Sequence, residues 1–555
     1  QSLADMDKLI GKGYSPIVAD DIISEPYAKG RKFTSRPDDP YNKVTIESLS
    51  GDLQLFDGRM NHNNGWFVLR SNIKPGVTKG AVKWIITPNV VADWMYQPVI
   101  QTSQIGYHPA QDKEAVIEMD IRDNRKETAQ IIRIDADGEK VVKNVTPANW
   151  GKFLRYNYLK VDFTDVKEPG LYKIKYDTSV SPIFRIDNDV YARGVWQPVL
   201  EYFLPVQMCH MRVNEKYRVW HDCCHMDDAQ MAPAHNHIDG YDQKEGLSKF
   251  KPGEVVPGVN IGGWHDAGDF DLRIESQAGE SYILALAYEA FHPNLDVTSI
   301  DQINRVTEIH QPDGKNDLLQ QVENGALTVV NGYLALGRLY RGIICNHLRQ
   351  YVLLGDAAAM TDGKIGNEDD RWIFTEDNPG RELSTAAQLA AVSRVLKGFN
   401  DTLSVHCLDI ARKVYASTGN GNNRALFPKV QAAVELYLTT GEQPYMDFIL
   451  DNKELIIKQI GRIGWYTARV EKQFAQMKNK KAKAFSTAFR KALTGYEQEL
   501  NKQVQETPYG IPYRPHIWGA GWDIQRFGFQ HYFLTTAYPE IFPKAPVFNA
   551  LNFIL

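Results

Sequence analysis

The sequence predicts a multidomain protein with a β-rich N-terminal part and a helical C-terminal part. Three observations predict it. The chain has 555 residues, too many for a single core, so two to four domains are expected. Up to about residue 187 the apolar residues alternate with period two. Beyond about residue 188 the period becomes 3.6, and no strand-like runs alternate with the helical ones.

The β part is built from short, punctuated runs. In the stretch 114–121 the apolar residues are Ala115, Ile117, Met119 and Ile121, with Val116 as the one apolar residue on the other face. The stretch 171–177 alternates cleanly after a Pro169-Gly170 turn. Such alternation with Pro/Gly punctuation predicts a half-buried antiparallel sheet, and residues 98–187 are the right size for a small β-sandwich. Residues 1–97 hold shorter pieces, Trp66-Phe67-Val68-Leu69 and Trp84-Ile85-Ile86, between polar turns. They predict an accessory β-rich region with an extended N-terminal tail.

The helical part starts near residue 188. Periodic stretches run over 281–291, 317–336, 384–399 and 431–440, the last stopping at Gly441, a C-terminal cap signal. This predicts an all-α domain over residues 188–555. The Lys-rich stretch 478–483 reads as a solvated helix face. The final stretch, 545–555, is an apolar helix with no cap, no terminal basic residue and no polar tail, which predicts a truncated or cleaved chain.

Composition narrows the function classes. A formal net charge of -5 argues against a nucleic-acid surface. No apolar run approaches the roughly 18 residues that a membrane span needs. The start at Gln1 without a signal-peptide pattern reads as a processed or engineered start, compatible with a protein that is secreted, periplasmic or on the cell surface. An aromatic content of 11% suits a carbohydrate-binding protein as well as any large enzyme.

The chemistry concentrates in Ile261-Gly262-Gly263-Trp264-His265-Asp266-Ala267-Gly268-Asp269-Phe270. Two carboxylates stand three residues apart beside an imidazole and an indole. Carboxylates hold water and accept protons, an aromatic face stacks on a sugar ring, and glycine permits close approach to a ligand. A water-activating base in a glycoside hydrolase needs these groups. A solvated turn or a calcium loop would also use a D-x-x-D pair.

Five cysteines are an odd number, which argues against a framework of disulfides alone. Cys209, Cys223 and Cys224 fall within sixteen residues. Cys209, Cys224, His225 and His265 form a possible two-thiolate, two-imidazole set, the tetrahedral preference of Zn²⁺. With every position filled, the zinc would be structural. Cys223 and His210 compete as ligands at this stage, and a Cys209 disulfide is an alternative. Adjacent ligands at 224 and 225 require a tight local turn. Residues 362–370 (Asp-Gly-Lys-Ile-Gly-Asn-Glu-Asp-Asp) are rich in the oxygen ligands of Ca²⁺ but lack EF-hand spacing, so a solvated acidic loop is the plainer reading.

Three pieces of the chain together resemble glycoside hydrolase family 9, the inverting cellulases with an N-terminal immunoglobulin-like domain. Gln104-Ile105-Gly106-Tyr107 resembles the first strand of that module. Cys209, Cys224-His225 and His265 match zinc ligands of part of the family, and Gly263-Trp264-His265-Asp266-Ala267-Gly268-Asp269 matches its catalytic block. Weaker matches lie at 316–319 and 432–437. The resemblance covers residues 98–555 and implies an immunoglobulin-like domain followed by an (α/α)6 barrel with an open cleft. It implies Asp269 as general base and Asp266 as the residue that positions the attacking water. Trp264, Tyr513, His516, Trp518 and Trp522 become candidate substrate contacts. The general acid of the family is a glutamate in a C-terminal segment, and no glutamate of this chain matches its context. The barrel is therefore expected to lack that segment, which becomes one expected partner. The other is a β-glucan. The expected activity is endo-acting hydrolysis of β-1,4-glucans of the cellulose, mixed-linkage or xyloglucan type. The alternatives are an exo-acting glucosidase or glucosaminidase of the same family, or a catalytically incomplete glucan-binding fragment.

Overall fold

The computed structural model describes residues 26–58, 66–236, 241–266, 270–345, 364, 370–419, 423–515 and 519–555. The expected N-terminal tail, and all of the 362–370 loop except Lys364 and Asp370, lie outside these residues.

The chain divides into two compact units. The smaller is formed largely by residues up to Trp94. It contains two three-stranded sheets, one ordered Ala28–Gly30, Leu53–Gly58, Trp66–Arg70 and the other Lys32–Ser35, Val44–Ser48, Trp84–Pro88. Both pieces singled out in the sequence are strands.

The larger unit begins with a β-sandwich. One sheet runs Ala148–Phe153, Tyr156–Asp162, Glu114–Asp120, Val99–Gln101. The other runs Gly138–Val145, Ala129–Asp135, Gly170–Tyr176, and the last of these also pairs with Ser179–Val180 and Phe184–Ile186. The alternation sets the register: Ala115, Ile117 and Met119 face Ile131, Tyr172, Ile174 and Tyr176 in one core. A slip of one residue would turn this set outward, so burial specifies the pairing. Val116 is also buried, whereas Ile121 lies beyond the strand end and is exposed.

The helices follow. We label them α1 (Ile274–Phe291), α2 (Asp317–Leu336), α3 (Pro379–Leu396), α4 (Asp401–Ser417), α5 (Asn423–Thr440), α6 (Gln443–Asp451), α7 (Lys453–Lys458), α8 (Ile460–Gln476), α9 (Lys480–Gln503), α10 (Gly521–Ala537) and α11 (Ala545–Ile554). Asparagine side chains cap the N-termini of four of them. Asn316, Asn378, Asn400 and Asn479 each accept one or two backbone N–H groups of the first turn. Helix α2 ends at Gly337, and Gly441 follows α5. Both glycines are left-handed, as a helix stop requires.

Helix α1 packs on α3, α3 on α5, α5 on α8 and α8 on α10. Phe291 of α1 meets Tyr532 of α10 with ring centroids 5.1 Å apart, which completes a circuit. Helix α4 covers α3, α9 covers α8, and α11 packs on α10.

The circuit has a charged centre. Glu435 of α5, fully buried, accepts from Tyr282 of α1 (2.7 Å), Arg394 of α3 (3.0 Å) and Arg469 of α8. Glu289 of α1 takes the remaining arms of both arginines. The Arg469 guanidinium lies 5.5 Å from the ring centre of Phe533 on α10. All five helices of the circuit therefore meet at one network of paired charges.

The region after residue 188 is not purely helical. Two small four-stranded sheets interrupt it. One contains Arg218–His221, Arg212–Glu215, Val306–Ile309 and Thr298–Asp301, and the other Gln230–Met231, Arg371–Phe374, Gly342–Cys345 and Leu272–Arg273. Strands of two to four residues are too short to show a period-two pattern, so the sequence reads them as loops.

Burial alone would raise the Glu435 carboxyl, but Arg469, Arg394 and the Tyr282 hydroxyl outweigh it and hold it below its ordinary value of 4.5. A depressed folded-state pKa contributes stability above the unfolded value, and this stability is lost as pH falls through the folded value. Glu435→Gln is therefore expected to cost about 3–5 kcal/mol at pH 7 by leaving two buried arginines short of a carboxylate. The gap in Tm between wild type and variant should narrow below about pH 4.5. A gap that does not change with pH in thermal melts would show that ionisation of Glu435 is not what holds the circuit.

Candidate active site and metal centre

The catalytic block is fixed by its backbone. The Cys209 N–H donates to Gly263 O (2.9 Å) and the His265 N–H donates to Gln207 O (2.8 Å), with Met208 opposite Trp264. This short antiparallel pairing puts Cys209 and His265 on the same face, diagonal to one another. Gly263 also exchanges bonds with Asn324 of α2: its N–H donates to Asn324 O (3.0 Å) and its carbonyl accepts from Asn324 Nδ2 (3.1 Å). Gly262 is left-handed, and a Cβ there would lie 2.3 Å from Asn324 O. The glycine thus serves close approach to a helix, not to a ligand as the sequence suggests.

Trp264 is 1% exposed. Its indole N–H donates to Gln321 of α2 (2.8 Å), and Gln277 of α1 bonds both its backbone N–H and its carbonyl (2.8 Å each). The expected sugar platform is a core residue that ties the block to two helices. The G-W pattern shows an aromatic group without showing which way it faces.

Cys209, Cys224, His225 and His265 converge. One ligand atom from each lies within 4.8 Å of the others, and all four residues are buried. Sγ of Cys209 is 3.8 Å from Sγ of Cys224 and 3.7 Å from Nδ1 of His225, and Sγ of Cys224 is 3.5 Å from Nε2 of His265. Zinc bonds of about 2.3 Å to sulfur and about 2.0–2.1 Å to nitrogen put tetrahedral ligand atoms roughly 3.3–3.8 Å apart. The donor set and the spacing fit zinc. The sulfurs are too far apart for a disulfide, whose S–S bond is about 2.05 Å. The local turn that adjacent ligands need is present, since His225 is left-handed at φ 51.

The competing ligands point elsewhere. Cys223 Sγ is directed at Arg305 O (3.8 Å). His210 sets Nδ1 3.0 Å from Gly262 O and Nε2 2.9 Å from Asp228 Oδ2. Burial opposes its charge, but the Cys209 and Asp228 charges raise the imidazole to about 9.

The thiols divide one charge between them. Burial opposes ionisation of Cys209, yet its bond with Cys224 and the nearby Arg371 draw it well below the usual thiol range. That bond, and then burial, push Cys224 well above it. Burial lowers His265 to about 4, which keeps the imidazole in the neutral form that ligates.

Asp266 is half-buried, and its Oδ2 lies 3.3 Å from Nε of Arg273 at the entry to α1. Asp269, His516 and Trp518 lie outside the described residues. Trp522 is 60% exposed in the first turn of α10, as a sugar contact would be. Tyr513 is 37% exposed and packs edge-on against Phe153 of the sandwich at 5.8 Å. In the acidic loop, Asp370 accepts from Gln230 Nε2 (3.0 Å).

The sequence reading missed Glu280. Solvent reaches this α1 side chain, yet protein surrounds it and Asp266 lies near, and burial followed by the Asp266 charge raises its carboxyl to about 7. No motif marks it, because one helical glutamate looks like another until the loop folds over it. Arg371 and Asp228, buried beside Cys209, were missed for the same reason.

The chain thus joins a β-sandwich to a helical circuit, with the Asp266-bearing segment anchored beside a buried Cys2His2 cluster. The chain belongs to glycosyl hydrolase family 9, whose profile matches residues 199–550, and the cellulase N-terminal ig-like domain matches residues 95–181. A xyloglucan-specific endo-β-1,4-glucanase from Bacteroides ovatus is 24% identical over 455 residues, covering 76% of this chain and 72% of that protein. A metagenome-derived family 9 endoglucanase superposes with a TM-score of 0.62 at 19% identity, covering 82% of this chain and 83% of the other. A zinc-binding triple mutant of another family 9 endoglucanase reaches a TM-score of 0.60, also at 19% identity, covering 80% and 81%.

Elemental analysis of protein purified without chelator is expected to find one zinc per chain. Cys209→Ser should lose it and Cys223→Ser should keep it; metal-free wild type would remove the assignment. At Glu280, a raised folded-state pKa contributes stability only below the unfolded value, and this is lost as pH rises through about 7. Glu280→Gln, which mimics the protonated form, should therefore raise Tm relative to wild type at pH 8 and not at pH 4. Equal shifts at both pH values would show that Glu280 titrates normally.

Proposed function

We propose that this protein is an inverting, endo-acting glycoside hydrolase that cleaves β-1,4-glucosidic bonds in β-glucans, with xyloglucan among the candidate polymers. One observation carries the reading: Gly263 and His265 are held by backbone bonds to residues 207–209 and to Asn324, which leaves Asp266 of the same block half-exposed. The xyloglucan-specific relative supports the choice of substrate class.

In this mechanism Asp269 accepts a proton from the attacking water. Asp266, oriented by Arg273, holds that water beneath the anomeric carbon. Inversion needs the base and a protonated carboxyl roughly 6.5–9.5 Å apart, so that water fits between base and sugar. A glutamic acid, for whose family context none of this chain's own glutamates is a match, protonates the leaving oxygen while the water attacks from the opposite face. Trp522 and Tyr513, with Trp518 and His516, supply stacking faces and hydrogen bonds along the glycan. The Cys2His2 set would hold zinc as a closed tetrahedral tie, whose chemistry is structural because no coordination position is left for water. A polymeric substrate places the protein outside the cytoplasmic membrane, as a secreted, periplasmic or surface protein. Among the described residues no helix is long and apolar enough to cross a membrane.

In a form that carries the acid-bearing C-terminal segment, Asp269→Ala is expected to lower turnover by about 10³-fold or more while glycan binding persists, since it removes a group that acts in the transition state. Retention of activity would refute the base assignment. NMR of freshly cleaved oligosaccharide should show the α-anomer first, and a product series longer than monomer should accompany it. Release of monomer alone from one chain end would favour the exo-acting alternative.

A further inference from the structure

We propose that Arg371 is a positioning residue that couples the Cys2His2 cluster to Gly262 and Phe270, the two residues that flank the Asp266-bearing block. The inference rests on the hydrolase reading above and adds the group that sets the loop.

Arg371 opens the strand Arg371–Phe374 and is fully buried. Its guanidinium reaches three destinations. Nε donates to both carboxylate oxygens of Asp228 (3.2 and 3.1 Å). Nη1 donates to the carbonyl of Phe270. Nη2 donates to Sγ of Cys209 (3.1 Å) and to Asp228 Oδ2. Asp228 in turn accepts from His210, whose other nitrogen donates to the carbonyl of Gly262 (3.0 Å).

Gly262 and Phe270 bracket the block that contains His265, Asp266 and Asp269. One buried Arg–Asp pair therefore grips both ends of the catalytic block and, with the same plane of donors, one sulfur of the metal set. Phe270 adds a packing contact, since its ring lies 4.9 Å from that of His265 and 5.4 Å from that of His225. A buried arginine is costly unless its donors are used, and here each of its three nitrogens has a partner. The planar fork is essential, because an ammonium is a single point and cannot reach a sulfur, a carbonyl and a carboxylate in three directions. Displacement of the Cys209 sulfur moves the guanidinium, and displacement of the guanidinium moves the Phe270 carbonyl.

The test is Arg371→Lys in the full chain, loaded with Co²⁺ as a spectroscopic substitute for zinc. The variant should still bind one cobalt per chain. Its thiolate-to-cobalt absorption band should move to lower energy than in wild type, because the sulfur has lost a donor. Turnover of a β-1,4-gluco-oligosaccharide should fall about 10- to 100-fold, the usual effect of removing a partner of a metal ligand, while KM changes little. An unmoved band, or a moved band with unchanged kcat, overturns the proposal. So does a loss of kcat that only follows loss of metal. Should the variant fail to fold, cobalt-loaded wild type decides: adding the oligosaccharide should shift the same band, and a static band overturns the coupling. Wild type that releases no sugar from β-glucans refutes the hydrolase reading instead, and the spectral comparison of wild type with Arg371→Lys then judges the clamp by itself.

Discussion

The antiparallel pairing of residues 207–209 with 263–265 is the constraint on which the site depends. Two backbone hydrogen bonds, Cys209 N–H to Gly263 O and His265 N–H to Gln207 O, bring together segments more than fifty residues apart. That pairing does three things at once. It delivers one thiolate and one imidazole to the same cluster. It turns Trp264 inward against α1 and α2. It leaves Asp266 as the first residue of the block able to face solvent. Because His265 and Asp266 are neighbours in the chain, the orientation of the clustered imidazole and that of the carboxylate are set together.

The helical circuit supplies the rigid frame for this pairing. Its centre is polar, which is unusual for a core, and the cost of burying Glu435, Arg394 and Arg469 is offset by matching each charge with two or more partners. Such a network specifies geometry more than it adds stability. A hydrophobic contact tolerates sliding, whereas a bidentate arginine fixes both distance and angle. Helix α1 carries both Glu289 of the network and Gln277, which bonds Trp264 of the block, so the network and the block share one helix.

Buried charge is handled in the same way beside the metal set. Asp228 is held below the usual carboxylate range: burial opposes this, but Arg371 and His210 outweigh it. The Cys209 thiol, drawn well below the usual thiol range, lies against the same guanidinium, so each charged group in the region faces a group that offsets it. The sequence shows these residues only as isolated letters, at positions 209, 210, 228 and 371.

Much of the architecture is local and therefore legible. The change from period two to period 3.6, the stop at Gly441, and the run of apolar residues at 545–554 each depend on a few neighbouring residues. The four clustered Cys and His residues, which could hold a metal, were also legible, because thiols and imidazoles are rare enough for their clustering along the chain to carry information. The facing of Trp264, the small sheets between the helices, the raised Glu280 and the Arg371–Asp228 clamp were not. Each is decided by which distant segment lies opposite: Gln321 and Gly325 for the indole, Asp266 for Glu280, Phe270 and Cys209 for the guanidinium. The sequence by itself determined the sandwich strands, the long helices and the chemical inventory. Tertiary structure alone decided which groups are shielded from water and which charge each one meets, because desolvation and Coulomb energy depend on distances in space and not on separation along the chain.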